Sequence, residues 1–280
     1  MNEYAFRIVN VFAEAPLEGN PLCVFEDGTA LDAAKMQALA LQFNLSETTF
    51  ILPSQRADAR VRIFTPRYEM PFAGHPTLGT AHVCRTLGRG GDHLSLETQA
   101  GVIPVQASGR RWTLQANAPT WREVCESQAT LAAMLSLEAQ DIGAPPLWVN
   151  TGSEQLVIPL ASETAVRRAR ARAELLGALQ GEKGTSQAYV FAHRGAPGQL
   201  LGRFFFQQGA VVLEDPATGS ATANLGGWYL ATERVLPQSF EISQGEYTGR
   251  PATLFLQLGA DRSIRVSGDV IEIGRGTITL

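Results

Sequence analysis

No apolar run in this 280-residue chain approaches the roughly 18 residues that a membrane-crossing helix needs. The amino-terminal stretch MNEYAFRIVNVFAEAP alternates apolar and polar residues and lacks the basic start and apolar block of an export signal. Cysteine is scarce. Cys23, Cys84 and Cys125 are three in number, an odd count without CxxC spacing, which argues against a disulfide framework and against a zinc site. A reducing cytoplasm is therefore the expected compartment, and no metal site is expected. Excess positive charge is missing too: 23 Lys and Arg stand against 27 Asp and Glu, a net charge of -4, whereas nucleic-acid binders usually present a basic stripe. The one Arg-dense run, VRRARAR at 166–172, sits among Ala, Glu and Leu at helical spacing and reads as a solvated helix face. Neither nucleic acid nor a membrane is expected as a partner. Low-complexity tracts are absent as well, so nothing predicts disorder.

Apolar residues make up 45% and charged residues 18% of the chain, a globular composition long enough for two domains of about 100 to 200 residues each. The sequence repeats itself. PFAGHPTLGTA at 71–81 and EDPATGSATAN at 214–224 share the pattern x-Pro-x-x-Gly-[Ser/Thr]-Ala, with His75 aligned to Asp215 at an offset of 140 (215 − 75). Arg62-Ile63-Phe64 returns as Arg203-Phe204-Phe205 at 141 (203 − 62), and Val9-Asn10 as Val149-Asn150 at 140 (149 − 9). A common offset predicts two pseudo-symmetric halves joined near 118–130, with domains over 1–122 and 123–280 and a last strand near 270–280 packing back on the first. Each half reads as α+β, a mostly antiparallel sheet wrapped on a helix. YAFRIVNVF, PLCVFED, ETTFILP and ADARVRIFTP alternate as strands, and DAAKMQALALQFN is a short amphipathic helix. TLGTAHVCRTLG has helical spacing up to Gly88. In the second half, SETAVRRARARAELLGALQ at 162–180 predicts one helix. ATGSATANLGGWYLATERVL at 217–236 predicts another despite its glycines.

In each repeated loop a residue able to cap, His75 or Asp215, precedes a proline favoured at a helix start. Gly79-Thr80-Ala81 and Gly219-Ser220-Ala221 leave room for a ligand near the backbone, and free helix-start amides suit anions. Two such helix starts facing each other across an interdomain cleft would hold a small carboxylate. The plain alternative is a cap and a turn, which the duplication makes less attractive. His82, His93 and His193 show no partner spacing and read as structural or surface residues. A general base is offered by Glu47 in NLSETTFI at 44–51; on sequence pattern alone, Ser46 and Glu47 as local caps is the stronger reading.

Five segments together resemble the PhzF-like family, the phenazine-biosynthesis isomerases, which share the diaminopimelate epimerase fold. They are GNPLCVF at 19–25, SETTFI at 46–51, RIFTPRYEMPFAGHPTLGTAH at 62–82, EDPATGSATANLGGWYL at 214–230 and QGEYTGRPATL at 244–254. The resemblance implies two similar domains, each a barrel-like sheet around a central helix, and an active site that needs no cofactor. By motif it makes Glu47 the proton-transferring acid/base and gives His75 and Asp215 the polar catalytic roles of the two loops. Ser46 and Ser220 become substrate-binding residues, while Gly74 and Gly219 hold the substrate carboxylate through neighbouring amides.

That assignment fits the residue types. Removing a proton beside a conjugated system leaves negative charge, which helix-start amides and a protonated His75 would stabilise, and Glu47 would return the proton to another carbon on the same face. Diaminopimelate epimerases and proline racemases instead use one cysteine in each loop, and FAGHP and EDPAT contain none. A cofactor-independent isomerase acting on a small carboxylate, working as a homodimer, is the reading adopted, with a non-catalytic carboxylate-binding protein of the same architecture as the alternative.

Overall fold

In the computed structural model, residues 2–182, 184–232 and 235–280 are described. The chain divides into two compact units, Met1–Gln115 with Ser267–Leu280, and Ala116–Val266.

The first unit contains β1 (Glu3–Val11), β2 (Asn20–Phe25), α1 (Ala33–Phe43), β3 (Glu47–Leu52), β4 (Ala59–Phe64), β5 (Glu69–Met70), α2 (Gly74–Thr86), β6 (His93–Thr98), β7 (Gly101–Ser108) and β8 (Arg111–Gln115). The second contains β9 (Thr120–Glu123), α3 (Gln128–Met134), β10 (Leu147–Asn150), β11 (Glu154–Pro159), α4 (Glu163–Arg168), α5 (Ala173–Ala178), β12 (Gln187–His193), β13 (Gln199–Gln208), β14 (Val211–Asp215), α6 (Gly219–Ala231), β15 (Gln238–Gln244) and β16 (Ala252–Leu258). The last strand, β17 (Ile264–Thr279), begins in the second unit and runs through the first.

Strand pairing in the first unit closes on itself in the order β1, β2, β3, β4, β6, β7, β8, β17 and back to β1. Only β2–β3 and β4–β6 are parallel, so this is a mostly antiparallel barrel. Helix α2 is its core. His75 to Ala81, Val83 and Cys84 are all buried, as expected for a helix enclosed on every side. Gly79 permits the enclosure, because a Cβ there would stand 2.6 Å from Leu22 Cδ2 and 2.9 Å from Val11 Cγ2. On the opposite face of β3, α1 is capped at its start by Asp32, which accepts from the Lys35 amide, and ends at a left-handed Asn44. It covers Phe25 and Phe50, whose rings stack at 4.8 Å.

The second unit repeats this plan. β10, β11, β12, β13, β15 and β16 pair in that order, with β11–β12 and β13–β15 parallel. They follow the same scheme as β1, β2, β3, β4, β6 and β7. Helix α6 takes the place of α2, with Ala221 to Leu230 all buried. Its glycines explain why the segment is helical despite them: a Cβ on Gly226 would lie 2.9 Å from Ile264 Cγ2, and one on Gly227 2.6 Å from Val149 Cγ1. The predicted helix reached residue 236, and residues 233 and 234 lie outside the described part of the chain.

Three sequence expectations need correction. The single helix over 162–180 is two short ones, α4 and α5. Between them the amides of Arg170 and Arg172 bond the carbonyls of Leu135 and Met134 at 2.8 Å each, and the Arg203 guanidinium takes the Ala169 carbonyl at 2.7 Å. The arginines of that run pair with Glu163, Glu246, Asp141 and Glu174, which accounts for the charge cluster. The second correction concerns the caps. Ala73 and Thr218 are the N-caps of α2 and α6, without side-chain capping bonds; His75 lies inside its helix and Asp215 ends β14.

The third correction is the alignment of the loops. Gly74 and Gly219 each open a 13-residue helix, and Thr77 and Thr222 each return a hydroxyl bond to the N-cap carbonyl, an offset of 145 (219 − 74). Before the loops the offset is smaller: Val9 faces Leu22 as Val149 faces Gln155, and Phe50 faces Arg62 as Val190 faces Arg203. A longer β13–β14 hairpin absorbs the change, while the same forked ion pair, Arg62–Glu69 and Arg203–Glu214, braces both hairpins. Structurally, His75 therefore corresponds to Ser220, Asp215 to Met70, and Glu47 to Gln187.

Candidate active site

Glu47 opens β3 beside Leu22 of β2, and His75 is the second residue of α2. The two side chains are 15% and 7% exposed, with His75 Nε2 3.3 Å from Glu47 Oε2, close but off the alignment of a hydrogen bond. Their elements are stitched together. Thr49 shares a strand face with Glu47, and its hydroxyl bonds that of Thr80 in α2 at 2.8 Å, both groups buried. The first turn of α2 is closed by Thr77, whose amide and hydroxyl both reach the Ala73 carbonyl at 3.2 and 2.7 Å. Ahead of that bond the amides of Gly74 and His75 have no intrahelical acceptor and present positive potential. Burial pushes the His75 imidazole down to about 3. It is neutral near pH 7, so the expectation of a protonated His75 is corrected: the ring serves as a hydrogen-bonding group rather than a cation.

In the second unit Asp215 is half-buried and accepts a short hydrogen bond at Oδ2 from the Thr218 hydroxyl. Gln244 Nε2 holds this turn, donating to the Asp215 carbonyl at 2.9 Å and to Thr218 Oγ1 at 3.0 Å. Gly219 and Ser220 follow as the first two residues of α6. The first unit thus gathers Glu47, His75 and Gly74, and the second gathers Asp215, Gly219 and Ser220. Ser46 is exposed in the bend before β3. Cys23 and Cys84 are buried, their thiols pushed up by desolvation, Cys84 to about 12, so neither is a ready nucleophile. Among the described residues no cluster of His, Cys, Asp or Glu is arranged for a metal, and no helix is long and apolar enough to cross a membrane.

Sequence reasoning missed a buried polar chain behind Ser220. Gln155 Nε2 donates to Ser220 Oγ at 3.0 Å, and Asn224 Nδ2 donates to Gln155 Oε1 at 2.9 Å and to the Ser153 carbonyl at 2.9 Å. Asn224 Oδ1 accepts from the amide and hydroxyl of Thr151 at 2.9 and 2.8 Å. The sequence signal was slight: Gln155 only heads the apolar run QLVIPL at 155–160, and a Gln buried in such a strand must find partners.

The family model described as phenazine biosynthesis-like protein matches residues 9–275. A relative from Pseudomonas chlororaphis named trans-2,3-dihydro-3-hydroxyanthranilate isomerase is 37% identical, over 98% of this chain and 99% of that one. A crystal structure of a PhzF-family phenazine biosynthesis protein from Bacillus anthracis superposes with a TM-score of 0.88 at 24% identity, covering all of both chains. A hydroxyproline epimerase from Agrobacterium vitis shares the fold at a TM-score of 0.67 and 15% identity, over 99% of this chain and 93% of that one.

Proposed function

We infer that this chain, which belongs to the phenazine biosynthesis-like PhzF family and is an isomerase, moves a proton within a small carboxylate substrate. The carboxylate of Glu47 takes a proton from a carbon beside a conjugated or carboxylate group, the electron pair enters that system, and the protonated Glu47 returns the proton to another carbon on the same face. In the first unit, negative charge developing on the substrate is met by the open amides of Gly74 and His75 and by the N–H of a neutral His75. In the second unit, Gly219 and Ser220 at the start of α6 and the side chain of Asp215 are the groups proposed to bind substrate. The observation that carries this reading is the Glu47–His75 approach at 3.3 Å beside amides with no intrahelical acceptor. It is supported by the relative named for a ring carboxylate, trans-2,3-dihydro-3-hydroxyanthranilate.

Glu47, as a single ionisable base, has no need of a cofactor in this chemistry, and the proposal includes none. It also includes a cytoplasmic homodimer, in keeping with a cysteine usage that suits a reducing compartment and with two-fold assembly as the commonest soluble arrangement. The test is deuterium uptake. The protein is incubated in deuterated water with trans-2,3-dihydro-3-hydroxyanthranilate and, separately, with α-amino carboxylates, and label is read by mass spectrometry. At least one compound acquires label, and Glu47→Gln slows uptake by a factor on the order of 100 or more. Equal labelling by Glu47→Gln refutes the role of Glu47, and binding without label in any compound favours a non-catalytic protein.

A further inference from the structure

We propose that Gln155 and Asn224 are positioning residues that fix the Ser220 hydroxyl as a hydrogen-bond donor toward the ligand, so that this point of the site accepts a carboxylate or carbonyl oxygen and rejects an ammonium group. The inference rests on the reading above that Ser220 touches substrate.

The polarity is dictated from the far end of the chain. The amide of Thr151 has only a hydrogen to offer, so the atom of Asn224 2.9 Å from it must be the oxygen. Asn224 Nδ2 then faces the Ser153 carbonyl, which only accepts, and its second hydrogen goes to Gln155 Oε1. With its oxygen thus assigned, Gln155 has only Nε2 to turn to Ser220. Ser220 Oγ therefore acts as acceptor inside the protein, and its own hydrogen is left for the half-exposed side. Gln155 and Asn224 are 2% and 0% exposed, so water does not scramble the order, and Asn224 uses every donor and acceptor it has.

The fold itself does not require this pair. At the corresponding positions of the first unit stand Leu22, facing Val9 as Gln155 faces Val149, and Gly79, whose missing side chain is filled by Leu22. Two positions that one unit packs with an apolar contact carry, in the other, a hydrogen-bonded amide chain ending at Ser220. Burying two amides for packing alone is a poor exchange for a leucine and a glycine, which points to the hydroxyl at the end of the chain.

The test inverts the polarity. In Gln155→Glu the carboxylate can only accept, so Ser220 must turn its hydrogen inward; in Gln155→Met the hydroxyl is free to rotate. Anthranilate, a fluorescent ring carboxylate, is the probe, titrated with the whole protein at pH 7.5. Binding weakens in the order wild type, Gln155→Met, Gln155→Glu, the last by about tenfold or more. In a Ser220→Ala background Gln155→Glu costs less than about twofold more, because the group it acts through is gone. The same loss in both backgrounds, or unchanged binding in Gln155→Glu, overturns the proposal. If Gln155→Glu does not fold, Gln155→Met binding as well as wild type is refuting. A readout without ligand runs beside these: the side-chain amide resonance of Gln155 shifts and exchanges faster with solvent in Ser220→Ala, and an unmoved signal is equally refuting. Wild-type protein that ignores anthranilate counts against the ring-carboxylate reading, while the amide signal still decides the polarity.

Discussion

The Thr49–Thr80 hydrogen bond offers a quantitative check on how the first unit holds Glu47 and His75 together. Both threonines are fully buried and their hydroxyls meet at 2.8 Å. Valine keeps the shape and deletes the oxygen. Thr80→Val alone leaves the Thr49 hydroxyl with no water and no partner, a loss of about 1–3 kcal/mol, and Thr49→Val strands the other hydroxyl at a similar cost. Replacing both removes the unpaired group, so the double variant should lose only about 1 kcal/mol or less, since deleting both partners of a buried bond with apolar groups of the same shape is nearly neutral. The coupling, the sum of the single losses less that of the double variant, is then roughly 1–5 kcal/mol, the double change being milder than the sum. Hydrogen exchange of the β3 and α2 amides, resolved by mass spectrometry, reads this locally: about 2 kcal/mol corresponds to some 30-fold faster exchange in either single variant. Additive effects, with the double variant worst, would show that the two hydroxyls do not depend on each other and that the strand and helix are held by packing alone.

Three further outcomes follow from the geometry. His75 has an ordinary value of 6.5 and a folded value of about 3, so between these limits the unfolded chain binds a proton that the folded chain refuses. Stability therefore falls as pH drops through that window, by up to about 1.4 kcal/mol per pH unit, and is flat above it; in urea titrations His75→Gln should remove this slope, and parallel curves would refute the assignment. Arg203 is 4% exposed, forks onto Glu214, and also reaches the carbonyls of Val166 and Ala169. Arg203→Met should destabilise by about 3–5 kcal/mol in urea unfolding, with Arg203→Met/Glu214→Leu recovering part of it, and no recovery would remove the stranded Glu214 charge as the cause. In the exchange assay Glu47→Asp, which draws the carboxylate back by one methylene, should retain measurable labelling where Glu47→Gln does not; equal loss in both would mean that placement, not proton capacity, limits the step.

Much of this architecture could be read from residues because its physics is local. Alternation marked β1 to β4, Asp32 and Asn44 marked the ends of α1, and the repeated Val-Asn and Arg-x-Phe segments exposed the duplication. Three things were not local. The break between α4 and α5 is imposed by carbonyls and an arginine from distant parts of the chain, Leu135, Met134 and Arg203, which no helical periodicity reveals. The phase of the loops was misjudged because x-Pro-x-x-Gly-[Ser/Thr]-Ala is a pattern of small residues, satisfied equally by a helix start and by the turn before one. Only strand register and the Arg–Glu braces show that four residues were gained in the β13–β14 hairpin relative to its counterpart (145 − 141). The amide chain behind Ser220 was hidden for the opposite reason. Each member looked ordinary, Gln155 in a strand and Asn224 in a helix, and only their meeting gives them a common purpose.

Comparing the two units at the corrected offset separates what the fold needs from what it leaves free. The features present in both are those that build a helix inside a barrel: the Arg–Glu brace on the hairpin, the glycine that opens the helix, and the threonine returning a bond to the N-cap carbonyl. Several of the differences between the units fall around the helix starts. Glu47 and His75, both ionisable, are answered by Gln187 and Ser220, which only hydrogen-bond. Leu22 and Gly79 are answered by Gln155 and Asn224, which orient a hydroxyl. The acid of the second unit, Asp215, stands where the first has Met70. A framework copied twice has thus kept its mechanical parts and divided its chemistry. The side chain proposed to carry the proton sits on one copy, and the groups of fixed hydrogen-bond direction sit on the other.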